Sequence, residues 1–216
     1  MSLDGSRRPE SAVLSTERVI EIVRRDPTAS VLDHQPIPWS SGEFAPVPPE
    51  ELARLSFPSG RPLPPSLRTW LAFDTDLLCR HGWFDEAGNL TPRPVDAVVA
   101  AEFGEGWAGE FAPLAERFAE CFLLPGGSDS RRVLSVGQPD AFGEYPVLAV
   151  DLDDMPYLGL MYPGFDVYLA HTAGLVDYEF ETYTDLAAHP AHASRMRRHA
   201  GHLFGGELCV EWPFDR

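Results

Sequence analysis

Lysine is absent from this chain: arginine supplies all 17 basic side chains, against 33 acidic ones, and the net charge is −16. A surface this short of positive charge repels phosphate backbones and anionic lipid headgroups, which counts against direct nucleic-acid or membrane binding. The same field speeds encounter with a cationic partner. Cysteine is also scarce. Cys79, Cys121 and Cys209 stand far apart, with no C-x-x-C, and an odd number excludes a fully paired disulfide framework, so the expectation is reduced thiols in the cytoplasm. No apolar run approaches the ~20 residues that span a bilayer. The opening M-S-L-D-G-S-R-R-P-E lacks the apolar stretch of a signal peptide. A G-x-S-x-G elbow, a P-loop and an H-E-x-x-H helix are missing too, so no catalytic residue, metal ligand or cofactor is expected.

What is present suffices for a core, with 44% hydrophobic and 11% aromatic residues in 216. The most informative stretch runs from Tyr145 to Ala170. Val147, Leu148, Val150 and Leu152 lead to the breaker Asp153-Asp154-Met155-Pro156. Tyr157, Leu158, Leu160 and Met161 then lead to Pro163-Gly164, and Phe165, Val167, Tyr168 and Leu169 follow. Spacings this short leave no room for crossover helices, so three sequential antiparallel strands are expected, with a carboxylate-rich turn at one end.

Elsewhere the punctuation is helical. Residues 1–11 read as a polar, disordered lead, Ser15 to Arg25 as a short helix, and Val31 to Pro49 as a Pro-rich arm with Trp39 and Phe44 as anchors. The predicted division is therefore an extension over residues 1–46 and a single α+β domain over 47–216. Pro49 and Pro64-Pro65 suit first turns of helices. Further helical stretches are expected around Val95 to Ala101 and along the stripe Phe111, Leu114, Ala115, Phe118 and Phe122. A short strand is expected at Val133 to Val136, a helix broken at Pro190 over Thr184 to Leu203, and an edge strand in L-C-V-E-W.

Three patterns invite a chemical reading. Gly104-Glu-Gly-Trp-Ala-Gly109 matches G-x-G-x-x-G, but Glu105 and Trp107 would crowd a pyrophosphate and no parallel strand follows, so a turn between helices is the better reading. Asp151, Asp153 and Asp154 could hold a hard cation, face a basic partner, or form a solvated turn. His189, His192 and His199 would share one side of a continuous helix, yet Pro190 interrupts it and Arg195, Arg197 and Arg198 surround them, so a solvent-facing basic helix competes with a zinc site.

Gly60-Arg-Pro-Leu-Pro-Pro-Ser-Leu-Arg-Thr-Trp-Leu71 resembles the G-x-x-L-P-x-x-Y-x-x-F-L helix entry of the SMI1/KNR4 family of the SUKH superfamily. Downstream, P-V-L-A-V-D, Y-L-G-L-M, D-V-Y-L-A and F-E-T-Y-T-D-L-A-A-H are similar to that family's three strands and closing helix. The resemblance implies a cytoplasmic bacterial immunity protein that binds a cognate polymorphic toxin with a basic surface, in some cases a nuclease, and blocks it without catalysis. Partner-binding residues would then be Asp151, Asp153, Asp154, Tyr157, Tyr162, Asp166, Asp177, Tyr178 and Glu179. The alternatives are a metal-dependent hydrolase using the same aspartates with the C-terminal histidines, and a regulatory protein-binding scaffold.

Overall fold

The computed structural model describes residues 8–32, 35–127, 130–153 and 155–214. Five strands among them pair in chain order: β1 (Cys121–Leu124), β2 (Ser130–Ser135), β3 (Val147–Asp151), β4 (Tyr157–Tyr162) and β5 (Cys209–Glu211). Every pairing is antiparallel. Six helices among the described residues come before the first strand: α1 (Arg8–Arg25), α2 (Pro49–Leu52), α3 (Pro65–Leu71), α4 (Asp76–Arg80), α5 (Val95–Phe103) and α6 (Glu105–Phe111). Then α7 (Phe165–Thr172) follows β4, and α8 (Ala193–Leu203) precedes β5. The fold is α+β, as the sequence predicts, and β3 and β4 flank the acidic turn.

Two elements differ from expectation. D-V-Y-L-A is not the third strand of a meander but most of α7, and all residues from Phe165 to Ala170 are buried. A helix buried on every side shows no polar face, so a short apolar run of this kind cannot be told from a strand by periodicity. The place beside β4 is taken by β5 from the chain's end, with Leu158 opposite Val210. C-F-L-L is likewise not the end of a helical stripe but β1, because the helical path closes in a 3-10 turn at Ala112–Leu114. Gly104, at φ 97°, is the joint between α5 and α6, a plain inter-helix turn.

The N-terminal segment shares the core. Val19, Val23, Val31 and Trp39 belong to the same buried cluster as Leu67, Trp70 and Leu148, and α1 packs on α3 and α7. Trp39 lies 5.6 Å from Trp70 and Phe44 lies 4.4 Å from Phe73, ring centre to ring centre. The helix starts at Arg8 rather than Ser15.

Buried charge ties the helices to the loop after β2. Arg195 of α8 donates through Nε to Asp140 and through Nη1 and Nη2 to the two oxygens of Asp166, at 2.8 and 2.9 Å. Glu144, fully buried, accepts from the Ser66 amide at 2.9 Å and the Ser66 hydroxyl at 2.5 Å, which secures the first turn of α3. His199 reaches the carbonyl of Pro163 at 3.0 Å. Gly164 passes between these groups, and a Cβ there would collide with Arg195, Asp166 and Glu144. Its φ of −177° is ordinary extended backbone, so space and not conformation requires glycine. Three carboxyls thus face one guanidinium. Desolvation, then the charge of Asp166, lifts the Glu144 carboxyl from 4.5 to about 8, so it stays protonated at neutral pH. Desolvation pushes His199 down to about 4 and keeps it neutral.

Two outcomes follow from this cluster. Arg195→Met strands Asp140 and Asp166 without a counter-charge and is expected to cost about 3–5 kcal/mol in urea denaturation; a loss below about 1 kcal/mol contradicts the pairing. Glu144 binds its proton more tightly folded than unfolded, so its contribution to stability falls as pH rises from 4.5 through about 8. His199 has the opposite sign, its contribution being lost as pH drops from 6.5 through about 4. The clean measurement is therefore a difference. Glu144→Gln is expected to match wild type near the lower end of the Glu144 window and to exceed it at the upper end by on the order of a few kcal/mol. A constant offset between the two proteins would mean that Glu144 is ionised in the fold.

Candidate functional site

The turn after β3 opens on a cleft of about 670 Å³ whose lining includes Asp151, Asp153, Glu181 and Glu211 and no basic side chain among the described residues. Three parts of the chain build it. Asp151 ends β3 directly opposite Tyr157 of β4, and Tyr157 is in turn opposite Glu211 of β5. Asp151 Oδ1 accepts the Asp153 amide at 3.0 Å, which tightens the turn so that the Asp153 side chain projects outward. The third part is the segment between α7 and α8, which crosses the open side of the sheet. Asp185 accepts from the amides of Glu181 and Thr182 at 2.7 and 3.0 Å and from the Thr182 hydroxyl. Hydrogen bonding to Thr182 holds the Asp185 carboxyl below its usual range, so this clasp persists in mild acid.

The clasp presents Tyr183. Its hydroxyl donates to Asp151 Oδ2 at 2.6 Å, and its ring lies 5.6 Å from that of Tyr157. Met155 projects from the acidic turn, half exposed among the carboxylates. The chemical character is thus a negative rim around a small apolar floor of Met155, Tyr157 and Tyr183. Burial raises the Tyr157 and Tyr183 hydroxyls and the Cys209 thiol above their ordinary values, so all three are neutral donors rather than nucleophiles.

The nine residues expected to meet a partner are dispersed. Asp151, Asp153 and Tyr157 line the cleft, and Asp154 lies outside the described residues. Asp177 and Glu179 are exposed on the crossing segment. Tyr178, half buried, gives its hydroxyl to the His192 Nε2 contact at 2.6 Å. Two assignments are corrected. Asp166 is 5% exposed and bound to Arg195, and Tyr162 is 3% exposed with its hydroxyl 2.9 Å from His171 Nδ1, so neither faces a partner. The helical course of α7 takes Asp166 inside and lays Tyr168 and His171 over Tyr162 at the end of β4.

The histidines do not converge. His189 and His192 stack 4.9 Å apart beside Tyr178, before α8 begins, while His199 is buried in the charge cluster. Nor is α8 a solvent-facing basic helix throughout, because Arg195 is 7% exposed. Among the described residues no group of three or more His, Cys, Asp or Glu side chains is arranged to hold a metal. Cleft residues that sequence reasoning missed include Met155, Tyr183 and Glu211. Alternation in L-C-V-E-W marks a strand, but nothing local says that it lies beside β4.

No helix among the described residues is long and apolar enough to cross a membrane. No family model matches the chain, and no curated protein matches it. Among solved structures the chain is similar to the crystal structure of an uncharacterized protein from Salmonella enterica subsp. enterica serovar typhimurium str. 14028s, at 17% identity, with a TM-score of 0.58, over 90% of this chain and 94% of that one. At that identity the likeness concerns the fold.

Proposed function

We propose that this chain is a binding protein of the immunity type, which captures a basic partner protein in the acidic cleft and blocks it by occlusion rather than by turnover. The observation that carries the reading is the ring of Asp151, Asp153, Glu181 and Glu211 around Met155, Tyr157 and Tyr183. An apolar floor with a rim of one charge suits a partner that buries an aliphatic or aromatic side chain between its own Arg and Lys residues. The net charge of −16 supports the same reading, since it steers a cationic protein toward the cleft before contact. So does the resemblance to the SMI1/KNR4 family, which implies a cognate polymorphic toxin as the partner. Two of the three thiols favour binding over chemistry: desolvation raises Cys121 to about 12 and also raises Cys209.

The test uses the C-terminal domain encoded by the neighbouring reading frame, expressed in cells with and without this protein. Wild type is expected to protect growth and to form a complex whose association slows as salt is added. The variant Asp153→Asn/Glu181→Gln/Glu211→Gln changes three exposed side chains, each worth about 0.5 kcal/mol or less in stability. It is expected to associate about tenfold more slowly, with a flatter salt dependence. An unchanged on-rate at both low and high salt would remove the cleft from the interface. No protection by wild type would remove the immunity reading itself.

A further inference from the structure

On the far side of Tyr183 from the acidic cleft lies a second cavity of about 440 Å³, and its chemistry is the reverse. Its lining includes Arg132, Tyr162, Tyr168, His171, Phe180 and Tyr183. Arg132 is 8% exposed. Its Nη1 donates to Ser130 Oγ at 2.7 Å and to the Arg131 carbonyl at 3.2 Å, and the guanidinium lies 5.1 Å from the centre of the Tyr183 ring. No carboxylate among the described residues comes within ion-pair distance of it. Arg195, buried to the same degree, has two. A buried guanidinium held only by neutral oxygens and a ring face is an incomplete arrangement. Gly127 lines the cavity on this side, where a Cβ would stand 3.7 Å from Arg132 Nη2, an ordinary contact, and 3.1 Å from Ser130 Oγ.

We propose that this cavity is a binding site for a small molecule that carries an oxyanion, a carboxylate or a phosphate, on an aromatic or apolar body. With Nη1 engaged by Ser130 and Arg131, the Nε–Nη2 edge of Arg132 is the one that matches two oxygens of such a group. Tyr162 stands beside it as a neutral hydrogen-bonding group, its hydroxyl raised by burial to about 12 while Arg132 pulls the other way. Tyr168 gives its proton to the Pro125 carbonyl at 2.9 Å, so its ring serves as wall. Phe180, Tyr183 and Met161 supply the apolar surface for the body of the ligand, and the volume is within the ordinary range for a small-molecule site. The assignment does not depend on the acidic cleft, although Phe180 and Tyr183 border both.

Titration calorimetry with phenyl phosphate, benzoate and the neutral benzyl alcohol tests it. Wild type is expected to bind one of the two anions and not the alcohol, and the anion that binds identifies the head group. Arg132→Met is expected to weaken that binding at least tenfold, and Arg132→Lys to recover part of it. If neither anion binds wild type at millimolar concentration, or if Arg132→Met binds as well as wild type, the site is not there. A second readout needs only wild type. Saturation with the bound anion must shift the Arg132 Nε–Hε resonance, and a shift confined to exposed arginines overturns the proposal even if the variant fails to fold.

Discussion

The guanidinium of Arg195 is the point on which the arrangement of helices depends. It joins Asp140, in the loop between β2 and β3, to Asp166, in the first turn of α7. Those groups are 55 and 29 residues from it in sequence, so no local preference could bring them together. Glu144 extends the network to Ser66 and so to α3. A buried pair of this kind adds little net stability over apolar replacements, because desolvating the charges offsets most of their attraction. What it supplies is placement. Any other course of the chain at Gly164 leaves an ion inside without its partner, a penalty large compared with the ~5–15 kcal/mol that holds a domain folded.

Both cavities are consequences of that placement. Because α7 turns inward after β4, the edge of β4 is free for β5, and Glu211 comes to stand across from Tyr157. The segment leaving α7 must then cross the sheet to reach α8, and on its way it sets Tyr183 down between Asp151 and Arg132. Tyr183, with Phe180, therefore stands between an anionic cleft and a cationic cavity. Tyr183 suits that position, since its hydroxyl donates to a carboxylate and its ring face attracts a guanidinium.

Much of the α+β plan was legible in the sequence because it is written in local chemistry. Pro49 and Pro65 open helices, short apolar runs between turn clusters mark β3 and β4, and the carboxylate-rich breaker marks the turn between them. The broken helix at Pro190 and the terminal edge strand are legible for the same reason. Features that depend on distant partners were not. F-D-V-Y-L-A presents no polar face in either conformation, so its helical state is decided by β5 and by the Arg195 contact with Asp166. C-F-L-L is buried throughout and is equally silent. Arg195 looked like one of three solvent-facing arginines, since a charged residue on an amphipathic helix is ordinarily exposed, and only tertiary structure distinguishes it from Arg197 and Arg198.

The candidate cleft divides along the same line. Asp151, Asp153 and Tyr157 could be picked out because they flank a recognisable turn. Glu211 arrives through strand pairing, and Glu181 and Tyr183 arrive through the Asp185 clasp, whose hydrogen bonds look in sequence like any run of Thr and Asp. The net charge of −16 was legible from the start, but it is a property of the whole surface and says nothing of where opposite signs are gathered. Two arginines that are equivalent in composition end up in opposite states, one saturated by carboxylates and one with none beside it among the described residues. The saturated one organises the fold. The other has no carboxylate partner among the described residues, and an oxyanion on a ligand would supply one to Arg132.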